Sequence, residues 1–158
     1  MLFDRLRLRQ NRARSQHNFT QHNVLFEEVS VQLLERLEGI NRPFNHILDL
    51  GSRNFSVAKS LSKQNSSRFI VHAHSTTDVN KLMLNQVCVA DDEWLPFRDA
   101  SFDLVISNLS LHWANDLPGA LIQIRRALKP DGFFIAALFG GETLRELREC
   151  LYEAEMQL

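Results

Sequence analysis

His46-Ile47-Leu48-Asp49-Leu50-Gly51 is a short apolar run that meets a glycine, and Val57-Ala58-Lys59-Ser60-Leu61 follows at helical spacing. That pattern is strand, turn, helix. It recurs downstream. Arg68-Phe69-Ile70-Val71-His72-Ala73 is a second strand, with a short polar helix around Asp78–Leu84 after it. Val87-Cys88-Val89-Ala90 is a third strand and Phe102-Asp103-Leu104-Val105-Ile106-Ser107 a fourth. Leu117–Leu128 reads as an amphipathic helix, ended by the tight turn Lys129-Pro130-Asp131-Gly132. Gly132–Leu138 is a fifth strand and Glu142–Met156 a final helix. Strands apolar on both faces, alternating with helices, predict a parallel sheet covered on both sides. Right-handed crossovers make it a doubly wound α/β domain. Ligands of such folds bind at the carboxyl ends of the strands, so the residues after Leu50, Ala73, Ala90 and Ser107 are the ones to inspect.

The chain has 158 residues, 44% of them apolar and 23% charged, with a formal net charge of −1. These values suit one soluble domain with a real core and exclude disordered, collagen-like and coiled-coil chains. The expected division is an N-terminal helical part, residues 1–44, and an α/β core, residues 45–158. No apolar run approaches the roughly 20 residues that span a bilayer, so no transmembrane segment is predicted. The near-zero charge offers nucleic acid no overall attraction, and none is expected as a partner. Cys88 and Cys150 stand outside any CxxC or Cys/His cluster, which signals neither zinc nor a disulfide framework. A reducing interior is the expected setting.

Residues 4–18 can form a basic helix, and residues 23–39 place Val24, Leu25, Val29, Leu33 and Leu37 near helical spacing before a stop at Gly39. From Met1 to Thr20 there are five arginines, no lysine and one acid, Asp4. Arg-rich and acid-poor is the composition of a transit peptide. The early Asp4 and the scarcity of serine favour a solvated basic helix of the domain.

The strand ends carry three candidate segments. Asp49-Leu50-Gly51-Ser52-Arg53-Asn54-Phe55 has one glycine where the backbone can approach a ligand, and also fits an ordinary turn. In Asp91-Asp92-Glu93-Trp94-Leu95-Pro96-Phe97 the acids can accept from a ligand amine, or the loop is solvated with Leu95 and Phe97 in the core. In Ser107-Asn108-Leu109-Ser110-Leu111-His112-Trp113 the histidine and tryptophan can line a pocket, or Trp113 covers the core edge. His72 and His74 share a strand face but are too few for a metal, and no metal site is predicted.

Taken together, residues Ala90–Phe97, Ser101–Ser107, Leu109–Trp113 and Leu128–Gly132 resemble the later motifs of the class I S-adenosylmethionine-dependent methyltransferases, in order and spacing. The resemblance covers roughly residues 45–150. Within that family, NLSLHW, NDLP, LKPDG and FGGETLRELR are similar to two branches. One is the respiratory complex I assembly factor with a methyltransferase fold, and the other the malonyl-carrier-protein methyltransferase of biotin synthesis. Phe3-Asp4-Arg5 and its continuation are similar to the start of the first.

The resemblance implies a Rossmann-like sheet, S-adenosyl-L-methionine as cofactor and a set of contacts. Asp49 and Gly51 would frame its methionine part. Asp91 would meet the adenine amine, with the Asp92 backbone beside the ring. Ser107 and Asn108 would pass under the sulfonium, and His112 and Trp113 would face the substrate. Methyl transfer is mostly positioning, so no catalytic acid or base is assigned.

Two positions depart from the family. Its first motif is D-L-G-x-G-x-G, and here the later glycines are Arg53 and Phe55. Its second strand ends in an acid that holds the ribose, and here the tip is Ala73-His74, with Asp78 the nearest acid. The family sheet has seven strands and this sequence offers five, which leaves the last as an edge open to self-association or a partner strand. A fragment of a longer protein and a shortened descendant both fit. Three functions follow: a methyltransferase with a distorted cofactor loop and weak or absent binding, a non-catalytic assembly factor bound to a respiratory complex I subunit, or an inactive truncated relative. The compartment implied is the cytoplasm, or the mitochondrial matrix in a eukaryote.

Overall fold

The computed structural model describes residues 2–65, 68–76 and 86–156. Its elements run α1 (Arg5–Ser15), a 3-10 turn (Gln16–Gln21), α2 (Val24–Glu38), β1 (His46–Leu50), α3 (Ser56–Gln64) and β2 (Phe69–His74). After these come β3 (Val87–Val89), β4 (Phe102–Asn108), α4 (Leu117–Ala127), β5 (Leu128–Ala137) and α5 (Arg145–Met156). The helix expected around Asp78–Leu84 lies outside the described residues, as does Asp78.

The strands form one five-stranded sheet in the order β3-β2-β1-β4-β5. Each pairing is parallel, with Leu48 opposite both Val71 and Val105. Chain order runs outward from β1 in both directions, so the crevice of a doubly wound sheet opens over the carboxyl ends of β1 and β4. Alternate residues of the central strands feed opposite layers. Leu48, Leu50 and Val105 pack with Leu111, Ile124 and Ala127. Ile47, Leu104 and Ile106 pack with Leu33, Leu37, Val57 and Leu61. Each such side chain contributes about 1.5–3 kcal/mol of burial.

The fifth strand differs from the reading of the sequence. It begins at Leu128, and the turn Lys129-Pro130-Asp131-Gly132 is an outward loop within it: Phe102 faces Leu128, while Leu104 already faces Phe133. Asp131 takes a positive φ of 59° there. A Cβ at Gly132 would lie 2.8 Å from the Lys129 carbonyl oxygen, so the loop needs its glycine. Lys129 Nζ donates to Asp103 Oδ1 at 2.9 Å, and the His46 amide donates to Asp103 Oδ2 at 2.8 Å. β5 is an edge of this sheet, as the strand count implied.

α1 is a basic helix exposed along most of its length, as expected, but it turns one stripe inward, where Leu8 and Arg12 are buried. Asn115 Oδ1 accepts the Leu2 and Phe3 amides at 2.8 and 2.7 Å, which ties the N-terminal residues to the segment after β4. α5 buries none of its residues, and space around Gly140 and Gly141 before it is open. Among the described residues no helix is long and apolar enough to cross a membrane.

Candidate active site

The turn after β1 is built for close approach. Gly51 has φ +72°, and a Cβ there would lie 2.1 Å from Ser110 Oγ. Its amide donates to the Ala73 carbonyl at 2.7 Å, which holds the turn against the end of β2. Phe55, at the family's last glycine position, has φ 55°. The backbone has thus kept a glycine conformation under a phenylalanine. The Phe55 ring meets His72 and His74 edge-on, with centroids 5.2 and 5.3 Å away, so it covers the tip of β2.

The other expected residues lie around this turn. Asp49 is buried; its Oδ2 is 3.1 Å from His72 Nδ1 and its Oδ1 has no partner. Asp92 is buried, and its Oδ2 accepts from Ser110 Oγ at 2.9 Å. Burial pushes the Asp92 carboxyl up, against the pull of the Arg12 charge. Ser107 Oγ is buried without a partner, whereas Asn108 turns toward α2 and donates to the Phe26 carbonyl and Ser30 Oγ, both at 3.0 Å. Asp91 is not a free acceptor. Arg5 and Arg9 both donate to its carboxylate, Arg9 at 2.7 Å. Although partial burial opposes ionisation, the Glu93 amide and these two arginines hold Asp91 below its ordinary pKa.

Two arginines fill the middle of the crevice. Arg12 reaches in from α1 and donates to Ser75 Oγ at 3.2 Å and Ser110 Oγ at 3.3 Å. Arg53 donates to Ser15 Oγ at 2.8 Å and lies 4.0 Å above the centre of the Phe19 ring. Burial pulls the Arg53 guanidinium down to about 10, with the Arg12 charge adding to the effect. Burial likewise pulls His74 down to about 4, so it is neutral at pH 7. Between Arg12, Gly51, Arg53, His74 and Ser75 there remain about 10 Å³, roughly the space of one water. His112 and Trp113 line a larger cavity of about 530 Å³ on the α1 side, which Arg12 and Arg53 also border.

A profile of the methyltransferase domain matches residues 48–136, the stretch from β1 to β5. The chain belongs to this family of class I S-adenosylmethionine-dependent methyltransferases. Over 162 residues it is 43% identical to arginine-hydroxylase NDUFAF5, mitochondrial, of Homo sapiens, a match taking in 99% of this chain and 47% of that protein. It is 38% identical over 157 residues to malonyl-[acyl-carrier protein] O-methyltransferase of Halorhodospira halophila, across 92% of this chain and 52% of that one. The chain spans about half the length of the curated relatives it matches. A crystal structure of a Methanococcus maripaludis protein assigned to the S-adenosyl-L-methionine-dependent methyltransferases superposes with a TM-score of 0.66 at 21% identity, over 90% of this chain and 71% of that one. This likeness speaks for the fold.

Family and fold imply S-adenosylmethionine as the cofactor. The Gly51 turn and the unpartnered Asp49 Oδ1 fit a ligand that brings a backbone-close donor. The rest does not fit the cofactor as the side chains lie. In the placement the resemblance implies, Arg12 and Arg53 would crowd its methionine end, the tip of β2 offers His74 in place of a ribose-holding acid, and Asp91 is engaged by α1. Sequence reasoning missed this role of α1; the signal was the five arginines spaced along its first turns.

Proposed function

We propose that this chain is a methyltransferase-fold assembly protein. In this reading it holds S-adenosylmethionine weakly and acts by binding a subunit of respiratory complex I in the mitochondrial matrix. The observation that carries it is the pair Arg12 and Arg53, which leaves about 10 Å³ over the Gly51 turn. A sulfonium is a cation, and two half-buried or buried guanidiniums repel it in a medium of low dielectric. The 43% identity to the mitochondrial human relative supports the compartment, and the earlier resemblance to an assembly factor supports the partner. The arginine hydroxylation in that relative's name belongs to that protein, and its transfer to this chain is not needed here.

A second reading, methyl transfer after α1 has moved, is favoured by the intact Gly51 turn and the unpartnered oxygens of Asp49 and Asp92. Calorimetric titration with S-adenosylmethionine and S-adenosylhomocysteine separates the two. We expect binding one to two decades weaker than in a family member with the full glycine motif, since each missing charge-assisted hydrogen bond costs about 1.5–3 kcal/mol. Arg12→Ala with Arg53→Gly should recover affinity. A low-micromolar constant for the unaltered chain would restore the methyltransferase reading. Co-purification with complex I subunits from mitochondria tests the partner.

A further inference from the structure

We infer that the solvent face of α4 is a docking surface for α5 of a second copy of this chain, so that two copies pair by reciprocal exchange of this helix. Two exposed apolar faces carry the inference. In α4, Pro118, Leu121, Ile122 and Arg125 recur at i, i+3, i+4 and i+7, all exposed, while Ala120, Ile124 and Ala127 on the other side are buried. The Leu95 amide donates to Gln123 Oε1 at 2.9 Å, and Gln123 Nε2 donates to the Glu93 carbonyl at 2.6 Å. These bonds hold the exposed Trp94 beside the helix.

In α5, Leu147, Cys150, Leu151 and Ala154 recur at the same spacing, yet α5 buries none of its residues. An amphipathic helix of a folded domain ordinarily lays its apolar stripe on a neighbouring layer. The stripe of α5 is left without cover by its own chain.

Charge decides the occupant. α4 contains no acid, and Arg125 and Arg126 stand in its last turn. α5 holds four acids, Glu146, Glu149, Glu153 and Glu155, against two arginines. Both arginines are engaged locally: Arg145 donates to Glu149 at 2.8 Å and Arg148 to the Gly141 carbonyl at 2.7 Å. Among the described residues Glu146, Glu153 and Glu155 have no ion pair, and nor does Arg125. Two α5 helices laid on each other would therefore gather like charge. An α5 laid on α4 joins apolar stripe to apolar stripe and acids to arginines. One helix contact is small for a stable interface, but a two-fold pair makes it twice and closes at two copies. The inference does not rest on the assembly role, which needs no second copy.

The test is sedimentation velocity of the full chain across concentration. Ile122→Glu alters α4 alone and Leu151→Glu alters α5 alone. Both residues are 61% exposed, so neither change should disturb the fold, which circular dichroism checks. We expect a concentration-dependent dimer, weakened about tenfold or more by each substitution. Arg125→Glu, which reverses a charge on the α4 face, should weaken it as well. Mixing the two apolar variants decides the arrangement. The Ile122→Glu chain keeps an intact α5 and the Leu151→Glu chain an intact α4, so one contact of the two re-forms. The mixture should associate more tightly than either variant alone, and the chain carrying both changes should not associate. The inference is overturned if the chain stays monomeric to millimolar concentration, or if Arg125→Glu leaves association unchanged. It is also overturned if association survives both apolar substitutions, which would place it at the β5 edge, or if the mixture associates no better than its parts.

Discussion

Arg9 Nη2 donates to Asp91 Oδ2 at 2.7 Å, and Arg5 takes the other oxygen of the same carboxylate. The acid that the resemblance would place at an adenine amine is in the structure the anchor of the N-terminal helix.

Asp91→Ala should therefore cost stability, although a strand-tip acid read from sequence alone looks dispensable. Hydrogen bonds to charged groups suggest a loss of about 1.5–3 kcal/mol. Arg9 is 46% exposed at its side chain, so part of the loss should fade in high salt. Urea unfolding at low and high salt measures both. An unchanged midpoint would show α1 to be held by other contacts, such as those of Asn115.

Phe55 sits at φ 55°, a conformation that costs a residue with a Cβ about 1–2 kcal/mol. Phe55→Gly removes that strain but also removes the ring from His72 and His74. We expect a net change within about 1 kcal/mol, where a half-buried phenylalanine in relaxed backbone would lose more. Phe55→Ala, which keeps the strain and loses the ring, should be clearly worse than Phe55→Gly. Equal melting temperatures for the two would refute the strain.

His74 is pulled by burial from 6.5 to about 4 in the folded chain. In the unfolded chain it takes up a proton below about pH 6.5. Stability should then be flat above that pH and decline as pH falls toward 4, because the unfolded state binds the extra proton. His74→Leu should flatten this window. A lower step comes from Asp103. Burial opposes its ionisation, but Lys129 and the His46 and Asn45 amides hold it at about 2, so its contribution is lost between about pH 3.8 and 2. Denaturation midpoints taken across pH, with and without His74, decide the first window.

β5 pairs with β4 on one side, and the residues Phe133–Ala137 along it are apolar and only half-buried. A parallel edge leaves its outward amides without sheet partners. We expect self-association that rises with concentration in light scattering, together with exchange of the outward amides between Phe134 and Leu138 that is fast in dilute solution and slows as the chain associates. A monomer at all concentrations with slow exchange throughout this strand would contradict it.

The sheet was legible because each strand is a short apolar run bounded by a turn signal, as in Ile47–Gly51 and Phe102–Ser107. The start of β5 was not, since Pro130 and Gly132 advertise a turn and nothing local reveals that Leu128 still pairs with Phe102 across it. The site was legible only in part. Asp49, Gly51, Asp92 and Ser107 gather at the crevice, but Asn108 is drawn to α2 by Ser30. The occupation of the crevice by Arg12 was hidden too. It depends on contacts between residues 63 and 98 positions apart, to Ser75 and Ser110, which no local pattern encodes.

The unburied α5 bears on how the chain melts. A segment that covers no surface adds little to the heat capacity or the denaturant slope of unfolding, since both scale with area exposed. The cooperative unit should then end after Phe139, whose ring still meets His112, and the helicity of α5 beyond it should be gained and lost on its own. Far-ultraviolet signal from α5 should fade gradually with temperature ahead of the main transition. Tryptophan fluorescence from Trp113, inside the cooperative part, should report a single sharp step.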